Sequence, residues 1–436
     1  MHKKIIKKLK RSGFQTYITG GAVRDILLGI KPKDYDIVTS AKPDEIKDVF
    51  KSEKISEVGE SFKVVIVNGI EVATFRKDRY FGLSDKNVEI TYADTIEEDL
   101  SRRDLTINAI AYSEGKFIDP FSGINDIKKR MIKFVDKPED RIFEDPCRIL
   151  RLIRFCLLFK DVYNIDKSSY FAMQKYSFLI RHIKKERIRL EILKAMEYHQ
   201  PSLFFHLLKE FNILRDIFPS LDDGFYHYDG NYHKETIFLH NMITGDNITK
   251  RKPLLRLTGY LHDAGKPSAF NGINYKGHDK IGSEIVSEEL RELKFSTDEI
   301  KFITNLIEMH MVYLKELSPK GIRRLNANLH KRNMNWKDLV QLRLADRVGN
   351  LKKSNYSRQD IKKYVLNINR QLIEKPTFSI KDLDIDGHEV MRIMDLKPGP
   401  EVGRILNHLF EKVLESPEFN NNNQLRTFLR WNKEEL

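Results

Sequence analysis

The sequence predicts an α+β head, a mixed sheet with helices, followed by an all-α neck, a helical body and a helical tail. Up to about residue 134, short β-rich runs alternate with helical stretches. From Arg141 onward the pattern is helical for most of the chain, with no clear strand period. The 436 residues, 41% hydrophobic and 32% charged, are enough for two to four domains with real cores. The expected boundaries are 1–134 for the head, 135–220 for the neck, 221–355 for the body and 356–436 for the tail.

Taken in order, Lys3 to Leu9 is a helix with Ile5, Ile6 and Leu9 on one side. Gln15 to Thr19 is a strand that runs into Gly20-Gly21. A helix starting near Ala22 carries Arg24 and Asp25, and a second β-like stretch presents Asp34 and Asp36 with Tyr35 between them. Pro43 to Phe50 is a helix opened by its proline. Phe62 to Val67 and Ile70 to Phe75, joined by Asn68-Gly69, form a hairpin with a type I′ turn. Glu71, in its second strand, is either a third acidic group for a metal or an exposed strand residue. Arg76 to Glu89 is polar and reads as a mobile loop. SRRDLTINAIAY follows, with Arg102, Arg103 and Asp104 just before an apolar run that holds Asn108. Asp119-Pro120 and Gly123 mark a turn, and Asn420 to Asn423 a loop.

The chemistry concentrates in Tyr17 to Ser40. Residues i and i+2 of a strand share a face, so Asp34 and Asp36 project together. Paired carboxylates repel unless a cation lies between them, and magnesium takes such oxygen ligands. Gly20 and Gly21 let backbone N–H groups approach an anion at a helix N-terminus. A phosphate cradle beside metal-binding carboxylates outlines a nucleotidyl-transfer site. Arg102 and Arg103 are either a solvated face or, beside such a site, bidentate phosphate clamps.

In EDPCRILRLIRF, Glu144 or Asp145 caps a helix and Pro146 sits in its first turn. Asp145, Arg148, Arg151 and Arg154 fall on one drifting stripe. That pattern fits an amphipathic surface helix with i,i+3 ion pairs. It also fits a base reader, because an Asp acceptor beside an Arg donor complements the Watson–Crick edges of cytosine and adenine. Guanine and uracil present the reverse order and would leave buried groups unpaired. The remaining arginines would then hold a triphosphate.

A net charge of +13 and a pI near 9.3 fit a polyanionic partner such as nucleic acid, or merely a lysine-rich proteome. No run of 18 apolar residues and no N-terminal signal pattern is present, so no membrane is expected. Cys147 and Cys156 share one helix, roughly 13 Å apart along its axis, too far for a disulfide. A reducing cytoplasm is the natural compartment. His240, His262-Asp263, Lys266, His278, His310 and Asp346 form an ordered set of the kind a mono- or dinuclear metal hydrolase needs.

Together these motifs resemble the bacterial tRNA nucleotidyltransferase and poly(A) polymerase family, the class II branch of the polymerase-β superfamily. GGAVRD with DYD, RRDLTINAIAY, DPFSGINDIKKR, EDPCRILRLIRF and ERIRLEILKAM carry the resemblance, which covers nearly the whole chain. It implies a polymerase-β-like nucleotidyltransferase head with Asp34 and Asp36 as catalytic magnesium ligands. It implies Gly21, Arg24, Arg103, Asp145, Arg148, Arg151 and Arg154 as contacts to CTP and ATP. The histidine set resembles an HD phosphohydrolase domain, which implies a second divalent metal besides magnesium, with His240, His262, Asp263 and Asp346 at its metal positions and His278 and His310 as further candidates. Leu383 to Leu409 resembles a tail that holds the elbow of tRNA, with Lys397 and Arg404 offered to phosphate. SEVGESFKVV has Glu60 and Ser61 where poly(A) polymerases carry basic residues, which implies tRNA as acceptor. The uncut loop Arg76 to Thr91 implies A addition as well as C addition, although KDRYFGLSDKN departs from the usual acidic and double-arginine pattern. The expected activity is CCA addition to the 3′ end of tRNA. Three other readings stay open: a split CC- or A-adding enzyme, a poly(A) polymerase, and an HD phosphohydrolase whose N-terminal part only binds RNA.

Overall fold

Alternating burial along short strands builds the head. The computed structural model describes residues 1–58, 64–82, 88–159, 162–227, 234–312, 318–353, 357–373 and 379–433. Glu60 and Ser61, and the tip of the loop at 83–87, lie outside them. Helix α1 (His2–Arg11) buries Ile5 and Leu9. Strand β1 (Thr16–Thr19) leads into α2 (Gly21–Leu27) and pairs antiparallel with β2 (Asp36–Thr39), Thr19 opposite Asp36. After α3 (Pro43–Val49) come β3 (Ile55–Val58), β4 (Val64–Val67) and β5 (Ile70–Thr74). Asn68 and Gly69, at φ 52° and 81°, close the β4–β5 hairpin with the two positive φ angles a type I′ turn requires. β5 lies parallel to β2 with Val72 beside Ile37, so the register puts exposed Glu71 next to Asp36.

The stretch expected as a mobile loop is different. β6 (Arg76–Tyr80) and β7 (Val88–Tyr92) form a separate two-stranded ladder, Arg76 opposite Tyr92. The polar side chains that suggested a loop pair with charges around them instead. Helix α4 (Ile96–Ser101) starts with a Thr95–Glu98 capping box. β8 (Ala111–Ser113) and β9 (Lys116–Ile118) complete a seven-stranded sheet of order β3-β4-β5-β2-β1-β8-β9. Ile37 and Val72 pack with Leu9, Ile46 and Phe50 on one face. Their strand neighbour Val38 faces the other side, with Phe75, Leu100 and Val135.

The DPFSGIND segment buttresses the RRD segment. Asp119 accepts the N–H groups of Gly123 (2.7 Å) and Ile124 (2.9 Å), starting α5 (Gly123–Lys129). Asp126 accepts the Thr106 hydroxyl at 2.6 Å. A Cβ on Gly123 would lie 2.1 Å from the Thr106 carbonyl oxygen, so only glycine permits this approach.

In the neck, β10 (Met131–Ile132) pairs parallel with β11 (Asn164–Ile165), a short ladder the helical pattern concealed. Around it stand α6 (Pro138–Glu144), α7 (Cys147–Cys156), α8 (Lys167–Tyr176) and α9 (Lys185–Ala195). α7 is no surface helix: nine of its ten residues are buried, including both cysteines, which are free thiols. Burial pushes the Cys147 thiol up to about 12. Arg154 also lies inside. Its Nε donates to Glu191 Oε2 (2.5 Å), its Nη1 to the Tyr198 hydroxyl (3.2 Å), and its guanidinium lies over the Phe155 ring. The expectation that Arg154 holds triphosphate is therefore corrected. The helical stripe drifts inward by its fourth member, and Arg154 pins α7 to α9.

The chain divides into two units, Met1–Asp222 with Glu289–Phe295, and Asp223–Glu288 with Ser296–Leu436. The second contains the helices Ile237–Asp246, Pro253–Leu261, Thr297–Met309 and Trp336–Gly349. Its last three helices, Gly387–Met394, Pro400–Glu415 and Asn422–Trp431, close around Val390, Ile405, Leu409 and Leu425. The asparagine run is more ordered than a loop. Asn420 accepts the Asp384 N–H and donates to the Asp382 carbonyl, and Asn421 caps the last helix. Among the described residues, no helix is long and apolar enough to cross a membrane.

Arg154→Met leaves Glu191 buried without its arginine. It is expected to destabilise the protein by about 3–5 kcal/mol, read as a lower urea midpoint with an unchanged slope.

Candidate active site

The strand–glycine–helix turn of the head opens into a cavity of about 470 Å³. Gly20, at φ 68°, ends β1 and starts α2. A Cβ there would sit 2.9 Å from Arg103 Nη1 and 3.3 Å from Asp36 Oδ2. The missing side chain is what brings a guanidinium and a carboxylate together over the backbone. The β1–β2 ladder stops at Thr19–Asp36 because β1 ends at this glycine, so Asp34 precedes the strand and lies exposed outside the cavity lining. Asp36 is exposed at the start of β2, yet partial loss of water at the cavity wall raises its proton affinity; Arg103 opposes that and the charge of Asp34 adds to it. Among the described residues Asp36 accepts no hydrogen bond. Its oxygens are thus free for a hard cation, the ligand type magnesium takes.

Seven arginines and four aspartates line the cavity, a surplus of three positive charges. Each arginine is anchored. Buried Asp99 holds Arg102 (2.8 Å) and Arg103 (3.3 Å). Asp78, on β6, holds Arg76 and Arg102. Arg24 donates to Asp25 and, at 2.8 Å, to Asn108 Oδ1. Arg151 Nε donates to Asp104 at 2.7 Å. Burial alone would raise the Asp104 pKa, but Arg151 beside it keeps the carboxyl well below the usual range. Gly20, Gly21, Arg24, Asp36, Arg103, Asp145, Arg148 and Arg151 thus come together in one cavity, and Asp34 and Arg154 do not line it.

At the neck end of the cavity, Asp145 lies just ahead of α7 and accepts the Cys147 N–H at 3.1 Å. Arg148 is fixed by Glu144, the carbonyls of Arg141 and Arg102, and the Tyr80 hydroxyl. The sequence did not single out Asp78, Tyr80, Asp99 or Arg187. The first two sit where a loop was expected. Arg187 was visible only as the second residue of ERIRLE, on a helix assigned no chemistry.

The second unit holds its own centre beside a cavity of about 450 Å³. His240, His262 and Asp346 gather on one side of Asp263, with His240 Nε2 3.2 Å from Asp346 Oδ1 and 3.5 Å from Asp263 Oδ2. His278 and His310 stand 3.3 and 3.4 Å from its other oxygen, Oδ1. The Nδ1 atoms of His262, His278 and His310 lie against the carbonyls of Gly259, Tyr275 and Ile307, which leaves each Nε2 as the ligand atom. Burial lowers the proton affinity of His240, but the carboxylates of Asp346 and Glu235 outweigh it and push its pKa up to about 9. Lys266, at 2.8 Å, and the histidines hold Asp263 well below the usual carboxylate range despite its burial.

Residues 16–133 match the family described as "Poly A polymerase head domain". Residues 163–225 match "Probable RNA and SrmB- binding site of polymerase A", and 279–429 match tRNA nucleotidyltransferase domain 2. The CCA-adding enzyme of Ligilactobacillus salivarius (strain UCC118) is 28% identical over 417 residues, 94% of this chain and 91% of that protein. The A-adding tRNA nucleotidyltransferase of Deinococcus radiodurans is 28% identical over 415 residues, 90% of each chain. The fold is shared with the CCA-adding enzyme of Bacillus stearothermophilus, solved in complex with CTP. The TM-score is 0.73 at 22% identity, with 99% of this chain and 96% of that one covered. The three family matches follow one another along the chain, with the glycine turn and Arg103 inside the first, and together with the full-length relatives they make the chain similar over most of its length to tRNA nucleotidyltransferases and poly(A) polymerases.

Proposed function

We propose that the chain adds C, C and A to the 3′ end of tRNA from CTP and ATP, without a nucleic-acid template. The observation that carries this is the single cavity joining the Gly20–Asp36 turn, the arginine cluster and the Asp145–Arg148 end of α7. The chain's full-length likeness to CCA-adding and A-adding enzymes supports it. Arg103, Arg24 and Arg151 bind the triphosphate, each held in place by its own carboxylate or amide. Asp145 accepts the exocyclic amino group of cytosine or adenine, and Arg148, whose two Nη groups are taken up by protein acceptors, donates from Nε to the ring nitrogen beside it. Asp34 and Asp36 would hold magnesium, which when bound offsets triphosphate charge and makes the terminal 3′-hydroxyl more acidic.

The β6–β7 ladder brings Tyr80 against Arg148, so the segment that follows Phe75 acts on the base-reading end and helps the change from C to A. Exposed Lys397 and Arg404 in the tail take tRNA phosphates, giving a steep salt dependence. In this reading 1–134, 135–220, 221–355 and 356–436 are head, neck, HD-type body and tail of a cytoplasmic enzyme.

The body's centre favours an accessory metal-dependent phosphohydrolase. Asp263, with His240, His262 and Asp346 and with His278 and His310 close by, would hold a divalent metal, which when bound would supply a Lewis acid and an activated water. Lys266, Arg343 and Arg347 line the adjoining cavity and suit an anionic ester.

Incubation with tRNA ending before CCA, after C and after CC, with CTP and ATP supplied separately, should extend each end only as far as CCA. Stopping at CC, adding only A, or long A tails would each replace this reading with a narrower or different polymerase. Asp36→Ala should abolish incorporation while tRNA still binds. Retained incorporation would remove the carboxylate from the chemistry.

The body's centre makes a separate pH prediction. His240 gains a proton on folding in the metal-free protein, because its pKa rises from 6.5 to about 9. That stabilisation is complete below 6.5 and is lost as pH rises through about 9. A divalent ion must displace this proton, so its affinity by calorimetry should strengthen about tenfold per pH unit towards 9. Affinity that does not change with pH would exclude His240 as a ligand, and Asp263→Ala should remove binding altogether.

A further inference from the structure

The acceptor of the base-reading pair is not held by Arg148. Arg187, on α9, donates from Nη1 to Asp145 Oδ1 at 2.9 Å and from Nη2 to Oδ2 at 2.6 Å. The Cys147 N–H takes a second position on Oδ1. A carboxylate offers about four acceptor positions. Three are filled by the chain, and the one left is on Oδ2. Both Asp145 and Arg187 line the cavity. Arg148 is committed elsewhere: its two Nη groups donate to Glu144, to the carbonyls of Arg141 and Arg102, and to Tyr80.

We propose that Arg187 is a positioning residue for base selection: it locks the plane of the Asp145 carboxylate so that one lone pair, on Oδ2, meets the exocyclic amino group of the incoming base. This rests on the proposed CTP and ATP reading. The bidentate pair matters because the wrong bases also carry an N–H. Uracil and guanine offer theirs on the ring, one position inward from the exocyclic group. A carboxylate pinned only through the Cys147 N–H could turn and accept that ring N–H. A carboxylate held at both oxygens cannot. The clamp has a second, structural point four residues along α9, where Glu191 holds Arg154. That inner pair is nearly sealed from water, whereas Arg187 is 30% exposed. Helix α9 therefore stays docked when Arg187 is changed, and its loss acts on selection.

The test compares CTP with UTP, and ATP with GTP, on tRNA ends in the full-length protein. Arg187→Met is expected to lower the CTP-to-UTP ratio of kcat/KM by about tenfold or more, with tRNA binding unchanged. Arg187→Lys keeps the charge and the stem but not the two-pronged geometry. It should lower the ratio as well, and it decides the matter if the methionine variant does not fold. In the double variant with Asp145→Ala, the ratio should equal that of Asp145→Ala alone, because Arg187 acts through Asp145. A merely structural arginine would slow all four nucleotides alike and add its effect to that of Asp145→Ala; either result overturns the proposal. If the wild-type protein takes UTP as readily as CTP, the CTP and ATP reading fails and the inference with it. A selective wild type with an equally selective Arg187→Lys defeats the inference alone.

Discussion

Seven guanidinium groups around one cavity repel one another, and the head depends on the carboxylates that oppose this. Asp99 does most, because it is fully buried and faces Arg102 and Arg103 at once. A buried carboxylate is stable only when paired, and these arginines tolerate crowding only because it is there. Asp78, Asp104, Glu144 and Asp145 repeat the arrangement around the rim. The outcome is a cluster rigid in the absence of ligand, with a positive surplus directed at the space between. Preorganised donors of this kind need little rearrangement when an anion arrives.

Much of the head was legible from local signals. Asn68-Gly69 announces a two-residue turn, and Gly20 a break between strand and helix, because those positions need positive φ. Helix α7 was legible from its start and its arginines. Its depth was not. Periodicity assigns Arg154 to the stripe of Arg148 and Arg151, yet Glu191, 37 residues on, draws it inside. Asp34 shows a related limit: alternation places it on the strand with Asp36, whereas β2 begins only at Asp36, and the charge of Asp34 still reaches that carboxylate. The β6–β7 ladder was hidden because its strands are charged rather than apolar, their partners being Asp99 and Arg102 and not a core.

The body was legible as a set of ligand types but not as a geometry. Nothing in the spacing of His240, His262, His278 and His310 says that two lie at each oxygen of Asp263. That division arises from helix packing. The carbonyl contacts that orient three of the rings are local, made three residues back along the chain. Long-range packing collects the ligands, and short-range bonds aim them.

Under the proposed base-reading role, the arrangement at Asp145 would set a limit on what the protein can know about a nucleotide. A single open lone pair distinguishes an amino group from a carbonyl, a binary choice and no more. Cytosine and adenine give the same answer. An ordered product therefore cannot be written in the pocket alone. On that reading the remaining information would have to reside in the growing end of the RNA. In that sense the catalyst holds the alphabet and its substrate holds the word.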